Sequence, residues 1–214
     1  MLRDKKAVIF DMDGTMIDSM WFWEELDQKY LEKMGIPYPC DLQDDMDGKS
    51  FHQLAIYFKE RFHLTETVEE IMDEWNQMAW TFYTEQVCLK EGVRDFLQFC
   101  HAKGLKLGIA TSNSHELADQ ILKVHHLDGY FSSVMTSGQV PKGKPEPDIY
   151  LAVANALKVS PQDCLVFEDM ITGIMAAKAA GMTVCAVEDA YTATQRAQKQ
   201  TLGDYYIDSF LELL

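Results

Sequence analysis

Apolar residues follow two different patterns along this chain. Short continuous runs rich in Val, Ile, Leu and Phe are typical of buried strands, whereas apolar residues spaced three and four apart are typical of helices. Outside residues 17–85 the two patterns alternate, which predicts strands and helices in turn. The predicted strands are residues 7–10, 106–110, 131–135, 164–167 and 183–187, and the tail after Gly203 is expected to add an edge strand and a short helix.

Strands that alternate with helices form a parallel sheet, because each right-handed crossover returns the chain to the same edge. We therefore expect an α/β fold with a Rossmann-like, doubly wound parallel sheet. In such sheets, ligands bind beyond the carboxyl ends of the strands. Asp11, Thr111 and Asp169 each follow a predicted strand, and Lys144 lies in a loop before a helix at the same edge. These residues, far apart in sequence, are expected to converge on one site.

Residues 17–85 interrupt this alternation, since they show helical spacing and no run typical of a strand. Apolar residues recur at helical intervals within residues 51–62 and 68–82. The segment also has a more acidic charge balance than the rest of the chain. We interpret it as an inserted, all-helical cap subdomain, so that residues 1–16 and 86–214 form the core domain.

Composition and charge narrow the classes of function. The chain has 214 residues, of which 47% are hydrophobic, and this is enough for a globular core with a small insert. Its net charge of −15 argues against a nucleic-acid partner, because phosphate backbones are bound by Lys and Arg. The same charge repels anionic substrates, so an anion site must be locally positive, as a bound divalent cation would make it.

Cysteine spacing and hydropathy bear on the compartment. The five cysteines are scattered and form no C-x-x-C motif, which argues against a disulfide framework or a zinc site. No apolar run is long enough to span a bilayer, so no membrane partner is expected. The first apolar run, residues 7–10, is too short for a signal peptide. We therefore expect a cytoplasmic protein, by default a monomer.

The most informative stretch is Asp11-Met12-Asp13-Gly14-Thr15, which Ile17-Asp18-Ser19 follows. It resembles the first motif of the haloacid dehalogenase superfamily of aspartate-nucleophile phosphatases, and three further motifs resemble the others of that family. The most similar branch has a helical cap and includes small phosphatases and β-phosphoglucomutase. The resemblance implies that the cap closes over the substrate, and we expect its hinges near residues 16–17 and 88–90.

Two aspartates of the first motif have distinct expected roles. Asp11 is the expected nucleophile, because a carboxylate is ionised at neutral pH and needs no base to activate it. Asp13 is the expected general acid and base, and the resemblance implies that its backbone carbonyl faces the metal. Gly14 permits a tight turn with positive φ, whose backbone N–H groups can point at an anion. The phosphate is therefore expected beside Gly14.

Two further motifs are expected to bind the phosphate group. Thr111 resembles the hydroxyl residue of the second motif, and Ser112 and Asn113 would add backbone N–H donors before a helix. On residue type alone, these three residues are equally typical of a helix N-cap. Lys144, in the run Gly143-Lys144-Pro145, resembles the third motif and would neutralise both the phosphate and Asp11.

Glu168 and Asp169 resemble the fourth motif, which holds magnesium. Mg²⁺ prefers oxygen ligands and binds through one or two carboxylates, with water and substrate completing the octahedron. Asp11, the Asp13 carbonyl and Asp169 meet that demand, and Glu168 is expected to bind either directly or through water. The resemblance therefore implies Mg²⁺ as the cofactor.

Three functions fit these motifs. We expect a phosphatase that hydrolyses a small phosphorylated metabolite, such as a sugar or polyol phosphate, through an aspartyl-phosphate. The alternative is a phosphosugar mutase like β-phosphoglucomutase. A mutase of this family is expected to carry His and Arg where this chain has Trp23 and Phe51, which favours the hydrolase. A second alternative is a non-catalytic protein that binds a phosphorylated ligand.

All four tryptophans lie in the predicted cap. Tryptophans at helical spacing are typical of a core. The alternative is an aromatic wall over the leaving group, to which Trp23 would belong because it follows the first motif closely. The four are Trp21, Trp23, Trp75 and Trp80.

Overall fold

The computed structural model describes residues 1–46 and 49–214, and residues 47 and 48 of the predicted cap lie outside the described part. No helix among the described residues is both long and apolar enough to cross a membrane. The strands are β1 (Ala7–Phe10), β2 (Ile17–Asp18), β3 (Cys88–Leu89), β4 (Lys106–Thr111), β5 (Ser133–Thr136), β6 (Cys164–Glu168), β7 (Thr183–Val187) and β8 (Tyr205–Ile207). The α-helices are α1 (Met20–Lys33), α2 (Leu42–Met46), α3 (Phe51–Arg61), α4 (Val68–Glu85), α5 (Val93–Ala102), α6 (His115–Val124), α7 (Asp148–Leu157), α8 (Ile171–Ala179) and α9 (Arg196–Leu202).

Six strands form one sheet in the order β5-β4-β1-β6-β7-β8, and every pairing in it is parallel. β1 lies between β4 and β6. Phe10 at its end is level with Ile109 on one side and with Phe167 on the other. The three strands therefore end at nearly the same height, and the residues that follow them meet at one edge of the sheet.

Helices cover both faces of this sheet, as the continuous apolar run of β1 requires. Val8 and Phe10 belong to one core cluster, which includes the buried residues of α5 and α6. Ala7 and Ile9 point to the other face and pack in a second cluster with residues of α7 and α8. The predicted doubly wound α/β fold with a helical insert is confirmed.

The inserted helices have a shared aromatic core. Tyr30 on α1, Phe58 on α3 and Trp75 on α4 contact one another, with ring centroids 4.9–6.2 Å apart. Capping boxes at Ser50 and Thr67 fix the starts of α3 and α4, because in each the side chain and the backbone N–H of the cap residue are both bonded to the residue three positions on. The described part of this segment is accordingly helical through most of its length.

The segment 17–85 nevertheless begins with a strand, which the sequence did not predict. β2 pairs with β3 in an antiparallel ribbon, and the N–H of Lys90 donates to the carbonyl of Met16 at 2.9 Å. Each strand has two residues, too few for the alternation that identifies strands in a sequence. The ribbon joins the start of the helical segment to the chain that follows it. The division into cap and core domains and the hinge motion stay predictions.

A cluster of phenylalanines beside β1 and β6 tests the core packing. The ring of Phe167 is fully buried, and its centroid lies 5.3 Å from Phe10, 5.2 Å from Phe96 and 5.0 Å from Phe210. Phe167→Ala should lower the free energy of unfolding by about 3–5 kcal/mol, because it leaves a cavity in a packed core. The control Phe99→Ala removes a ring that is 36% exposed and should cost far less. Denaturant unfolding measures both, and similar losses would contradict this packing.

Candidate active site

The carboxyl ends of β1, β4 and β6 bring the predicted residues together. Asp11 comes directly after β1, Thr111 is the last residue of β4, and Glu168 is the last residue of β6, with Asp169 next to it. The N–H of Asp11 donates to the carbonyl of Phe167 at 3.0 Å, which extends the parallel ladder by one residue. The expected convergence at this edge is therefore present.

Lys144 joins two of these carboxylates. It reaches in from the loop before α7, and its Nζ donates to Asp11 Oδ1 and Glu168 Oε1 at 2.6 Å each. All three side chains are buried. Burial raises the pKa of Asp11 to about 7, and Glu168 also raises it, while Lys144 pulls in the opposite direction. Burial alone would lower the pKa of Lys144, but Asp11 and Glu168 outweigh it and raise that pKa, so the ammonium stays charged.

Asp169 has one oxygen bound and one oxygen free. Thr15 Oγ1 donates to Asp169 Oδ1 at 2.8 Å. Asp169 Oδ2 is buried and has no hydrogen-bond partner within the described residues. Burial, and then the charges of Glu168 and Asp11, raise the pKa of Asp169 well above its usual range. A buried carboxylate oxygen without a donor is costly unless a ligand or ion binds it.

Gly14 provides the space for Asp169. Its φ is +78°, a conformation that favours glycine, and a Cβ at this position would lie 2.3 Å from Asp169 Oδ2. The N–H of Gly14 donates to the carbonyl of Ile17 at 2.9 Å, so this donor is used within the turn. Gly14 thus allows the turn to approach the carboxylate of Asp169 closely.

Oxygens of Asp11, Glu168 and Asp169 lie within 4.8 Å of one another and could hold a metal ion. Both Glu168 oxygens already accept protein donors, since Tyr150 O–H donates to Oε1 at 2.9 Å and Met170 N–H to Oε2 at 2.9 Å. A hard divalent cation suits three carboxylates. The unpartnered Asp169 Oδ2 makes Asp169 the best-placed direct ligand of the three, and Glu168 is the carboxylate that also orients Lys144.

Asp13 is held by donors from the helical segment as well as the sheet edge. Its Oδ1 accepts from Ser19 Oγ at 2.7 Å, from Trp23 Nε1 at 3.2 Å and from the hydroxyl of Tyr83. Its Oδ2 accepts from Asn113 Nδ2 at 3.0 Å. A carboxylate that accepts from four donors is held firmly in one orientation. Asp13 therefore links the helical segment to the sheet.

The second predicted motif makes a further contact with the helical segment. Thr111 Oγ1 accepts from the N–H of Asn113 at 3.1 Å, which shapes the turn before α6. The carbonyl of Ser112 accepts from the N–H of Phe51 at 3.0 Å, at the start of α3. Ser114 Oγ donates to Asn76 Oδ1 of α4 at 2.7 Å. These bonds hold α3 and α4 against the edge of the sheet.

A cavity of about 500 Å³ lies between the helical segment and the sheet edge. Most of the predicted site residues line it, namely Asp11, Asp13, Thr111, Ser112, Asn113, Lys144 and Glu168. Trp23 and Trp75 line it from the helical segment, as an aromatic wall requires. Trp21 and Trp80 are 41% and 45% exposed, so for them the expectation of a core position is wrong.

Four contact residues escaped the sequence analysis. Thr15 belongs to the first motif, but nothing in the sequence paired it with Asp169. Tyr83 and Tyr150 lie in helices, where nothing in the sequence distinguished them, and the helical spacing found within residues 68–82 ended one residue before Tyr83. A Cβ on Gly173 of α8 would lie 1.6 Å from Glu168 Oε1. An isolated glycine within a helical pattern was the available indication of that close contact.

Comparisons with known proteins identify the family. A family model described as haloacid dehalogenase-like hydrolase matches residues 8–187. The chain is 33% identical to the phosphorylated carbohydrates phosphatase of Thermotoga maritima over 177 residues, which cover 83% of this chain and 82% of that protein. It is 31% identical to β-phosphoglucomutase of Bacillus subtilis over 185 residues, which cover 83% and 80%. The crystal structure of CbbY from Rhodobacter sphaeroides in complex with phosphate matches the fold with a TM-score of 0.86 at 21% identity, covering 98% of this chain and 96% of that one.

The chain belongs to the haloacid dehalogenase-like hydrolases. The resemblance inferred from the four motifs is confirmed, and so is the prediction of an enzyme of the hydrolase class. Its relatives include both a phosphatase and a mutase, so membership of the family alone leaves the acceptor of the phosphoryl group open.

The hydroxyl of Tyr83 offers a test of how the helical segment is held. Tyr83→Phe should lower the free energy of unfolding by about 1–3 kcal/mol, because Asp13 and Asn113 both lose a buried partner. Tyr30→Phe is the matched control, since Tyr30 O–H is buried without a partner among the described residues. Removal of the Tyr30 hydroxyl group should leave the free energy of unfolding unchanged or raise it slightly. Thermal and denaturant unfolding compare the two variants, and a larger cost at position 30 would contradict the hydrogen bonding at Asp13.

Proposed function

We propose that this protein is a Mg²⁺-dependent phosphatase that hydrolyses the phosphoric monoester of a small metabolite, such as a sugar or polyol, through a phosphorylated Asp11. The observation that carries the proposal is the buried group formed by Asp11, Lys144 and Asp169 beside the cavity. A nucleophile, a fixed ammonium and a free metal-ligand oxygen are the parts that phosphoryl transfer from a monoester requires.

Asp11 attacks the phosphorus in this proposal. Lys144 occupies Asp11 Oδ1, and no hydrogen bond within the described residues reaches Oδ2, which leaves that oxygen for the reaction. A bond forms between the Asp11 oxygen and phosphorus as the bond from phosphorus to the leaving oxygen breaks. Lys144, with two carboxylate partners, keeps the nucleophile oriented and offsets part of its charge.

Asp13 transfers protons in both halves of the reaction. Protonated Asp13 gives its proton to the leaving oxygen, which departs as an alcohol. The resulting carboxylate then takes a proton from a water molecule as that water attacks the phosphorus, and Asp11 is released with inorganic phosphate. The four donors around Asp13 hold its carboxyl group in one orientation for both transfers. Such a group contributes roughly 10²–10⁴-fold in rate.

The residues present fit a magnesium ion. Asp169 would hold it through the oxygen that lacks a partner, and Asp11 and the Asp13 carbonyl would add further oxygens, with Glu168 directly or through water. When bound, the ion would screen the negative charges of nucleophile and phosphate from each other. Thr15 and Gly14 position Asp169 for this role, the first by its hydrogen bond and the second by its lack of a side chain.

Water is favoured over a sugar hydroxyl as the acceptor. Trp23 Nε1 donates to Asp13, and an indole N–H cannot carry protons to and from a sugar as an imidazole can. Phe51 lines the cavity and cannot bind a second phosphate by charge. A phosphosugar mutase, the alternative, would instead convert a hexose 1-phosphate to the 6-phosphate and require a bisphosphate. A non-catalytic binding protein would retain ligand affinity without turnover.

Replacement of the nucleophile tests the proposal. Asp11→Asn should reduce hydrolysis of p-nitrophenyl phosphate in Mg²⁺ by at least about 10³-fold, because an amide cannot form the acyl phosphate. Asp18→Asn is the control, since Asp18 follows the same motif but is exposed. Acid-quenched wild-type enzyme should carry radiolabelled phosphate on the peptide that contains Asp11, and the variant should carry none. Label on another residue, or full activity of Asp11→Asn, would contradict the proposed nucleophile.

A further inference from the structure

A buried carboxyl group in the helical segment has no partner. Asp27 on α1 is only 7% exposed, and no hydrogen bond or ion pair within the described residues reaches it. It lines the same cavity as Asp11 and Lys144. Burying a carboxyl group without a partner costs free energy, so Asp27 does not stabilise the fold through a hydrogen bond or an ion pair. The mechanism proposed above does not use Asp27.

Asp27 lies on the helix face that also contacts the proposed proton donor. Trp23, one helical turn earlier on the same face of α1, donates to Asp13, the proposed proton donor to the leaving oxygen. One turn of helix advances the chain by about 6 Å between these residues. Asp27 therefore lies about one helical turn from the residue that contacts Asp13, in the wall of the same cavity.

Trp75 on α4 forms part of the cavity wall near Phe51. The residue is 2% exposed, and its Nε1 is buried without an acceptor among the described residues. The indole thus contributes an apolar surface to the cavity, and the carboxyl group of Asp27 contributes the unused polar group. The ring of Trp75 packs edge-on to Phe51, which also lines the cavity, so the indole is fixed in place.

The carboxyl group of Asp27 suits a hydroxylated ligand better than a cationic one. A protonated carboxyl group both donates and accepts, as a hydroxyl group does, whereas an ammonium group can only donate. Burial, and then the charge of Glu24, raise the pKa of Asp27 to about 8. At neutral pH the side chain is then mainly protonated in the free enzyme, which suits hydrogen bonds to hydroxyl groups better than attraction of a cation.

Basic residues of the cavity do not neutralise Asp27. Lys144 is bonded to Asp11 and Glu168. Lys49, the other lysine in the cavity lining, donates to the carbonyl of Asp45 and lies 5.1 Å from the centroid of the Tyr57 ring. Asp27 is consequently left to a ligand.

We propose that Asp27 determines substrate specificity by binding a hydroxyl group of the leaving group against the Trp75 wall of the cavity, which makes a polyhydroxylated monophosphate the substrate class. The inference rests on the proposed function, because it needs a phosphate monoester in the cavity. It adds that the chain selects its substrate through hydrogen bonds to the alcohol portion, some distance from the phosphate.

The test compares substrates within each variant. For sorbitol 6-phosphate and glucose 6-phosphate, Asp27→Leu should lower kcat/KM relative to that for p-nitrophenyl phosphate by roughly 10- to 100-fold, because the nitrophenyl group has no hydroxyl to lose a partner. Trp75→Phe, which keeps a ring and removes a buried N–H, should change the same ratio far less than Asp27→Leu does. The control Asp73→Leu removes an exposed carboxylate from α4 and should leave the ratio unchanged.

Folding is followed in the same variants. Asp27→Leu should unfold at the wild-type temperature or above it, because an apolar side chain replaces a buried carboxyl group that has no partner. A marked fall would contradict the absence of a structural partner, on which the inference rests. Asp27→Asn keeps the shape and the hydrogen-bonding capacity, and it should retain more of the substrate ratio than Asp27→Leu.

Other outcomes would overturn the inference in distinguishable ways. Equal loss on all substrates would mean that Asp27 acts on the reacting centre. Loss confined to phosphoethanolamine would identify a cationic leaving group instead of a hydroxylated one. Wild-type hydrolysis of p-nitrophenyl phosphate without hydrolysis of either hydroxylated substrate would refute this inference alone. Absence of hydrolysis of every phosphate tested would refute the proposed function itself.

Discussion

Three buried carboxylates lie close together beside the buried ammonium of Lys144, at the carboxyl edge of the sheet. Lys144 contacts Asp11 and Glu168, while Asp169 lies within reach of both carboxylates and keeps one oxygen without a partner. An excess of negative charge in a desolvated site is unfavourable, and the raised pKa values of Asp11 and Asp169 express this. A divalent cation would relieve the excess without any change of side chains. The imbalance of charge therefore favours the metal site that the proposed function requires.

The sheet and the helical segment supply different residues to the site. The level ends of β1, β4 and β6 position the residues that are proposed to act on phosphate, because parallel strands in register deliver their next residues to one edge. The helical segment supplies Trp23 and Tyr83 to orient Asp13, and it supplies most of the apolar lining of the cavity. Asp13 has hydrogen-bond partners in both parts, so the proposed proton transfer depends on how the helices sit against the sheet.

Sequence reasoning worked where local pattern determines position. Asp11, Thr111 and Asp169 could be assigned to one edge because each follows an apolar run, and the alternation of such runs with helices implies a parallel sheet. It did not find Tyr83, since helical spacing identifies a face only to within one position and Phe82 fits the spacing equally well. The pairing of Thr15 with Asp169 joins residues far apart in sequence, and no local pattern contains it. The two-residue strands β2 and β3 are too short to produce a pattern at all.

The burial of Asp27 was equally hidden, because a carboxylate on a helix is ordinarily a solvated residue. Only the three-dimensional structure shows that Asp27 and Trp23, on the same face of α1, line one cavity. The most direct test of Asp11 as nucleophile and Asp169 as metal ligand is a crystal structure of the protein with Mg²⁺ and beryllium fluoride, which mimics a phosphoryl group. We expect the beryllium bonded to a carboxylate oxygen of Asp11, with the metal ion in contact with Asp11 and Asp169. Beryllium fluoride bound to any other residue, or a metal ion away from Asp169, would contradict the account.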